Sequence, residues 1–194
     1  MENNGLKGLK KETFFPTRKL IKLNINGNRL SDLPEVLFNP NACNLKAVFM
    51  KENQMKFLNQ KVFANCTNLR HLFVSENKIT KVPSKLLDVS VVDPLSIIFT
   101  LFKNKPVLKT VDLSRNELKF IPSGFTKGAA NLQHVYLNDN EIEQLPADIL
   151  KHNPRLEVLD LENNRLQNST ESFNDVLSVE KVYQVLLCVF KRYL

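Results

Sequence analysis

Six segments of this chain can be written one under another: LIKLNINGNRL from Leu20, LKAVFMKENQM from Leu45, LRHLFVSENKI from Leu69, LKTVDLSRNEL from Leu108, LQHVYLNDNEI from Leu132 and LEVLDLENNRL from Leu156. Each reads LxxLxLxxNxL, with Leu, Ile, Val or Met at every L position. Asn fills every N position: Asn28, Asn53, Asn77, Asn116, Asn140 and Asn164. The segments start 25, 24, 39, 24 and 24 residues apart in a chain of 194 residues. A fixed period of this length describes coils that stack on one another, not elements wrapped around one centre.

The spelling has a physical reason. In xLxLx the apolar side chains alternate, so one face of a short strand points inward and the other outward. No single coil can bury its apolar row. Stacking in parallel, at about 4.8 Å between strands, builds a continuous core. After the strand the chain turns inward, where backbone N–H and C=O groups would lie buried without partners. An Asn amide carries two donors and an acceptor, so at this bend it is expected to bond the backbone of its own and the next coil. Leaving such groups unsatisfied costs about 1–3 kcal/mol each, which accounts for an Asn at every turn. Asn4 stands 24 residues before Asn28 and shares the register of this ladder. Residues 1–19 therefore read as a partial repeat whose strand is missing, and the chain as a fragment entered mid-repeat.

Beyond the motif the coils stay patterned, as LSDLPEVLF, MKFLNQKVF, ITKVPSKLL, LKFIPSGF and IEQLPADIL. With its 24-residue spacing and LPxxxF form, the sequence resembles the leucine-rich repeat family over nearly its whole length. The form is that of the "typical" subclass found in Toll-like receptor, Slit-like and chaoptin-like ectodomains. The resemblance implies an α/β solenoid, with a curved parallel sheet on the concave face and irregular segments or 3₁₀ turns on the convex face. It also implies a non-catalytic protein-binding module from a receptor or adhesion ectodomain, extracellular or at the cell surface. The alternative is an intracellular, cytoplasmic scaffold or adaptor of the same fold.

Two places depart from the period. The 39-residue interval holds 15 extra residues within DVSVVDPLSIIFTLFKNKP, about residues 88–106. This apolar insertion reads as a local helix or loop packed on the scaffold, as a partner or self-association surface, or as a gene-model error. Six repeats then occupy residues 20–168. Residues 169–194 read either as a degenerate repeat or as an amphipathic C-terminal helix capping the core, with Val176, Val179, Tyr183, Leu186, Leu187 and Phe190 on one face.

Function is expected on the outward motif positions. The fifth gives Asn24, Phe49, Phe73, Asp112, Tyr136 and Asp160, and the third gives Lys22, Ala47, His71, Thr110, His134 and Val158. Phe49 and Phe73 are neighbours, flanked by His71 and Lys51, while Asp112, Tyr136, Asp139, Asp160 and Glu162 make an acidic zone around a tyrosine. The candidate partner-binding residues of the concave face are thus Phe49, Lys51, His71, Phe73, Asp112, His134, Tyr136 and Asp160. Aromatic anchors beside charge suit a protein interface. Cross-strand pairing, worth about 0.2–1 kcal/mol, would explain the aromatics without any partner.

Other classes find less support. His71 and His134 lie in separate coils with no suitably spaced nucleophile, and no phosphate loop, GxSxG or HExxH occurs. An enzyme is not expected, nor a metal or cofactor. The net charge is +7, yet both signs are interleaved without a basic block, so nucleic acid is not an expected partner. No run reaches the ~18 apolar residues of a membrane helix. Cys43, Cys66 and Cys188 make neither a disulfide framework nor a CxxC pair. Cys66 reads as a small core residue, while a Cys43–Cys66 bridge between neighbouring coils stays open for an oxidising compartment. Sequons at Asn65 and Asn168 are about what chance supplies in so Asn-rich a chain.

Overall fold

The second apolar position of each motif becomes the centre of a three-residue strand. These are β1 (Lys22–Asn24), β2 (Ala47–Phe49), β3 (His71–Phe73), β4 (Thr110–Asp112), β5 (His134–Tyr136) and β6 (Val158–Asp160). The computed structural model describes residues 1–59, 61–80, 105–149 and 151–166. The six strands form one parallel sheet in chain order. Matching motif positions face each other throughout, as Lys22 does Ala47, Phe49 does Phe73, and Tyr136 does Asp160.

The long interval leaves this register intact. His71 pairs with Thr110 and Phe73 with Asp112, so no strand is inserted between β3 and β4. The 169–194 segment lies outside the described residues, as does the 88–106 insertion except for its last two positions. Behind the sheet the described returns run through single hydrogen-bonded turns, such as Cys66 N–H to Phe63 C=O at 2.9 Å and Ile149 N–H to Pro146 C=O at 3.0 Å. Among the described residues these turns do not extend into helix.

Between sheet and turns runs the core. Leu23, Val48, Leu72, Val111, Val135 and Leu159 fill it from the strand centres, and the next apolar position of every coil is buried beside them. A second seam lies under the turns, where the phenylalanines of the LPxxxF form stack coil on coil. Phe14 meets Phe38 at 5.4 Å between ring centroids, and Phe38 meets Phe63 at 5.9 Å. Cys43 and Cys66 are joined by a disulfide, with Cα atoms 4.9 Å apart, that staples the first two complete coils on this side. A staple closing a loop of this size stabilises by about 3 kcal/mol through the unfolded chain.

The asparagines close the inward turn. Asn77 Nδ2 donates to Val74 O (3.0 Å) and Ser75 O (3.1 Å) in its own coil and to Met50 O (2.9 Å) in the coil before. Its Oδ1 accepts from Met55 N–H at 3.0 Å. Asn53, Asn116, Asn140 and Asn164 repeat the pattern, including Asn116 across the long interval. The cross-coil reach runs backward to the preceding coil, where the sequence suggested the next one. The reason lies in the backbone: strand amides such as Ile25 N–H and Met50 N–H already donate forward to Phe49 O and Phe73 O. The groups left over on the forward side of each coil are one carbonyl and one later amide, and only the following coil's Asn reaches both. Asn4 Nδ2 donates to Glu2 O, and its backbone N–H donates to Asn28 Oδ1 at 3.2 Å.

One feature of these turns has no signature residue type. The position before each ladder Asn takes a left-handed backbone: Asn3, Gly27, Glu52, Glu76, Arg115, Asp139 and Asn163, with φ between 52° and 61°. For a side chain other than Gly this conformation costs about 1–2 kcal/mol. It is held by a forward hydrogen bond from the same residue's N–H, as Glu76 to Ser114 O (3.1 Å) and Asp139 to Glu162 O (2.8 Å). At Gly27 a Cβ would also collide with the Asn3 side chain.

Lys105 departs from this apolar pattern. It occupies the turn position that Cys66 and Ala129 fill in neighbouring coils, is only 1% exposed, and donates Nζ–H to Ala64 O at 3.0 Å. Burial pulls its pKa down from 10.5 to about 8. The unfolded chain therefore holds this proton more tightly than the folded one, so the cost to stability is complete below about pH 8 and fades toward pH 10.5. Urea unfolding should find Lys105→Met more stable than the parent at pH 7, with the gap narrowing by pH 9.5; a gap independent of pH would contradict this burial.

Asn77→Ala or Asn77→Asp should cost about 3 kcal/mol or more, because either strands several buried backbone groups. The exposed Asn41→Ala, outside the ladder and the left-handed row, should stay within about 0.5 kcal/mol. Equal midpoints of urea unfolding for the two would refute the ladder's role.

Candidate functional site

Because the apolar alternates face the core, the third, fifth and seventh motif positions stand on the open face of the sheet. In its first half this face is aromatic and cationic. Phe49 and Phe73, paired in register on β2 and β3, stack at 4.9 Å and 16°. Lys22 Nζ sits 4.7 Å above the Phe49 ring, a cation–π contact. His71 lies nearly parallel to Phe73 at 6.3 Å. Its pKa is lowered, first by burial and then by the nearby charges of Lys109, Arg70 and His134, so the ring resists protonation.

Lys51 and Asp112 have a different place from the one the sequence suggests. Lys51 Nζ reaches over β3 to Asp112 Oδ2 at 3.5 Å, joining coils that are not neighbours. Asp112 Oδ1 accepts from Ser114 N–H and Ser114 Oγ–H, and the residue is buried. Ser75 is buried between the two strap residues' coils. Asp112 therefore leaves the acidic zone and closes off the aromatic one. Its strand separates the Phe pair from the second half of the face.

That second half carries His134 and Tyr136, stacked at 6.4 Å and 5° on β5. His134 Nε2 lies 3.6 Å from Glu157 Oε2. Asp160 is partly buried and its pKa is raised, chiefly by desolvation, with Glu162 and Asp139 adding repulsion against the Glu162 N–H that bonds it. Asp139 is drawn aside by Arg115 and by Asn163 Nδ2 at 2.8 Å. The named residues thus form two groups: Phe49, Phe73 and His71 with Lys22 in one, His134, Tyr136 and Asp160 in the other. Sequence reasoning missed the second motif position, which holds Lys46, Arg70 and Lys109 at the leading edge of three successive strands, all exposed. Reading that column as the third and fifth were read would have found it.

Two family models match the chain: one described as Leucine rich repeat over residues 102–175, and one described as BspA type Leucine rich repeat region over residues 2–92. The chain belongs to the leucine-rich repeat family. It is 30% identical to mouse podocan-like protein 1, over 79% of this chain and 24% of that one. To human Toll-like receptor 8 it is 32% identical, over 73% of this chain and 13% of the receptor. Among solved structures it matches a chain of the Toll–Spatzle complex of Drosophila, in its glycosylated form, with a TM-score of 0.73 and 25% identity. That match covers 91% of this chain and 22% of the other. The chain spans about a quarter or less of these relatives. As a member of the family it presents a regular scaffold whose variable side chains stand on the sheet's outer face.

Proposed function

We propose that this repeat array is a non-catalytic module that binds another protein on the open face of its sheet, with Phe49 and Phe73 as the anchor. The observation that carries the reading is the Phe49–Phe73 stack itself, on the face turned away from the core. Aromatic side chains gathered on an outer sheet face, with charge at the rim, are the composition of an interface centre. The matched Toll–Spatzle structure is itself a complex, which supports the same reading.

An address outside the cell or at its surface fits best. The Cys43–Cys66 disulfide belongs to an oxidising compartment, the Toll structure is of a glycosylated form, and Toll-like receptor 8 is named as a receptor. A cytoplasmic scaffold would keep these two thiols reduced. The array is in this reading one stretch of a longer receptor or adhesion ectodomain. The apolar 88–106 segment is a further place for partner contact or self-association.

The test is a Phe49→Ala/Phe73→Ala variant of the secreted chain, assayed against a partner whose cross-links to Lys22 or Lys51 have been mapped. Binding should weaken by about 2 kcal/mol or more, roughly thirtyfold, while the thermal midpoint falls only slightly. Unchanged affinity would sink the anchor.

A further inference from the structure

Resting on that reading, we infer that the partner's contacting segment is an extended acidic polypeptide, held along a strip of cations at the leading edge of the sheet. The strip is Lys22, Lys46, Arg70 and Lys109, one from each of four successive coils. The backbones of the last three are bonded in series, starting from the neighbour of Lys22: Lys46 N–H to Ile21 O, Arg70 N–H to Lys46 O, Lys109 N–H to Arg70 O, each at 2.7–2.8 Å. The side chains of Lys46, Arg70 and Lys109 are therefore about one strand spacing apart, near 4.8 Å at their roots.

Some cations elsewhere on this solenoid are matched coil to coil. Lys61 meets Glu35, Arg115 meets Glu76 and Arg165 meets Glu141. Lys46, Arg70 and Lys109 have no such partner among the described residues. The sequence offers them none locally: residues 17–22, 42–47, 66–71 and 105–110, which bring each coil into its strand, contain no Asp or Glu. Like charges on neighbouring strands repel, so this edge holds a positive potential that a negative ligand would relieve. His71 feels the same field: its pKa is lowered first by burial and then by Lys109 and Arg70.

Two features favour a polypeptide over a uniform polyanion. The strip adjoins the Phe49–Phe73 stack, to which Lys22 is already joined, so carboxylates and apolar side chains of one segment can be met together. In the sixth coil the sign reverses at Glu157, Asp160 and Glu162. A chain of evenly spaced negative charge running the length of the face would be repelled there. An extended peptide places alternate side chains on one side, which suits carboxylates along the cations and aromatics on the Phe pair.

The experiment uses a fluorescein-labelled dodecapeptide of alternating Glu and Tyr, with an all-Glu dodecapeptide and a heparin dodecasaccharide as comparison probes, read by anisotropy. The Glu–Tyr peptide should bind, weaken as salt rises toward about 0.3 M, and lose about tenfold or more in a Lys46→Glu/Arg70→Glu variant that melts like the parent. Phe73→Ala should weaken it too. Heparin or all-Glu binding as tightly, with no response to Phe73→Ala, would overturn the inference in favour of a polyanion. Peptide binding that responds to Phe73→Ala but not to charge reversal would overturn it while leaving the Phe anchor standing. No response to either change would remove both.

Discussion

The asparagine ladder is the interaction on which the rest depends. A coil of about 24 residues must turn its backbone into the core after each strand, and water cannot follow it there. One amide side chain per coil satisfies carbonyls in two coils and an amide in the coil behind, at 2.9–3.4 Å. Each coil is thus completed by the one that follows it. The left-handed residue ahead of each Asn, costly for Glu, Arg or Asp, is tolerated because its own N–H is spent on the same forward seam. Stability in such a stack lies at interfaces between neighbours, not in any one coil.

With the core and the turns so determined, the outer face is free to vary, and it does. The first half of the sheet gathers aromatics and cations, the second half gathers a tyrosine and carboxylates, and the Lys51–Asp112 pair marks the boundary. That pair is partly exposed, so its worth to stability is small, about 1 kcal/mol or less. Its effect is on availability: it takes one carboxylate out of the surface and fixes the floor beside the phenylalanines.

Much of this was legible from residue order. The period gave the sheet's register, the alternation separated core from surface, and the Asn column located the turns, all because these features repeat and so survive any single exception. The reach of Asn77 toward Met50 instead of the following coil was not legible, because it depends on which backbone groups the strands have already used. The Lys51–Asp112 strap was hidden because it skips a coil, and no local spacing encodes such a contact. The left-handed row was hidden for a different reason: Gly, Glu, Arg, Asp and Asn all serve there. Lys105 in a buried turn position breaks the pattern outright, and only the packing around it shows where its ammonium goes.

The measurement that bears most directly on the ladder is native-state hydrogen exchange of the amides that donate to Asn Oδ1, those of Leu30, Met55, Ile79, Leu118 and Ile142. They lie outside every strand, so their protection depends on the asparagines alone. The account predicts that they exchange as slowly as the amides of Leu72 and Val111 in the middle of the sheet, through the same global opening. Exchange at the rate of the outer turns, while the strands stay protected, would show that the coils are held by apolar packing and strand pairing without the ladder.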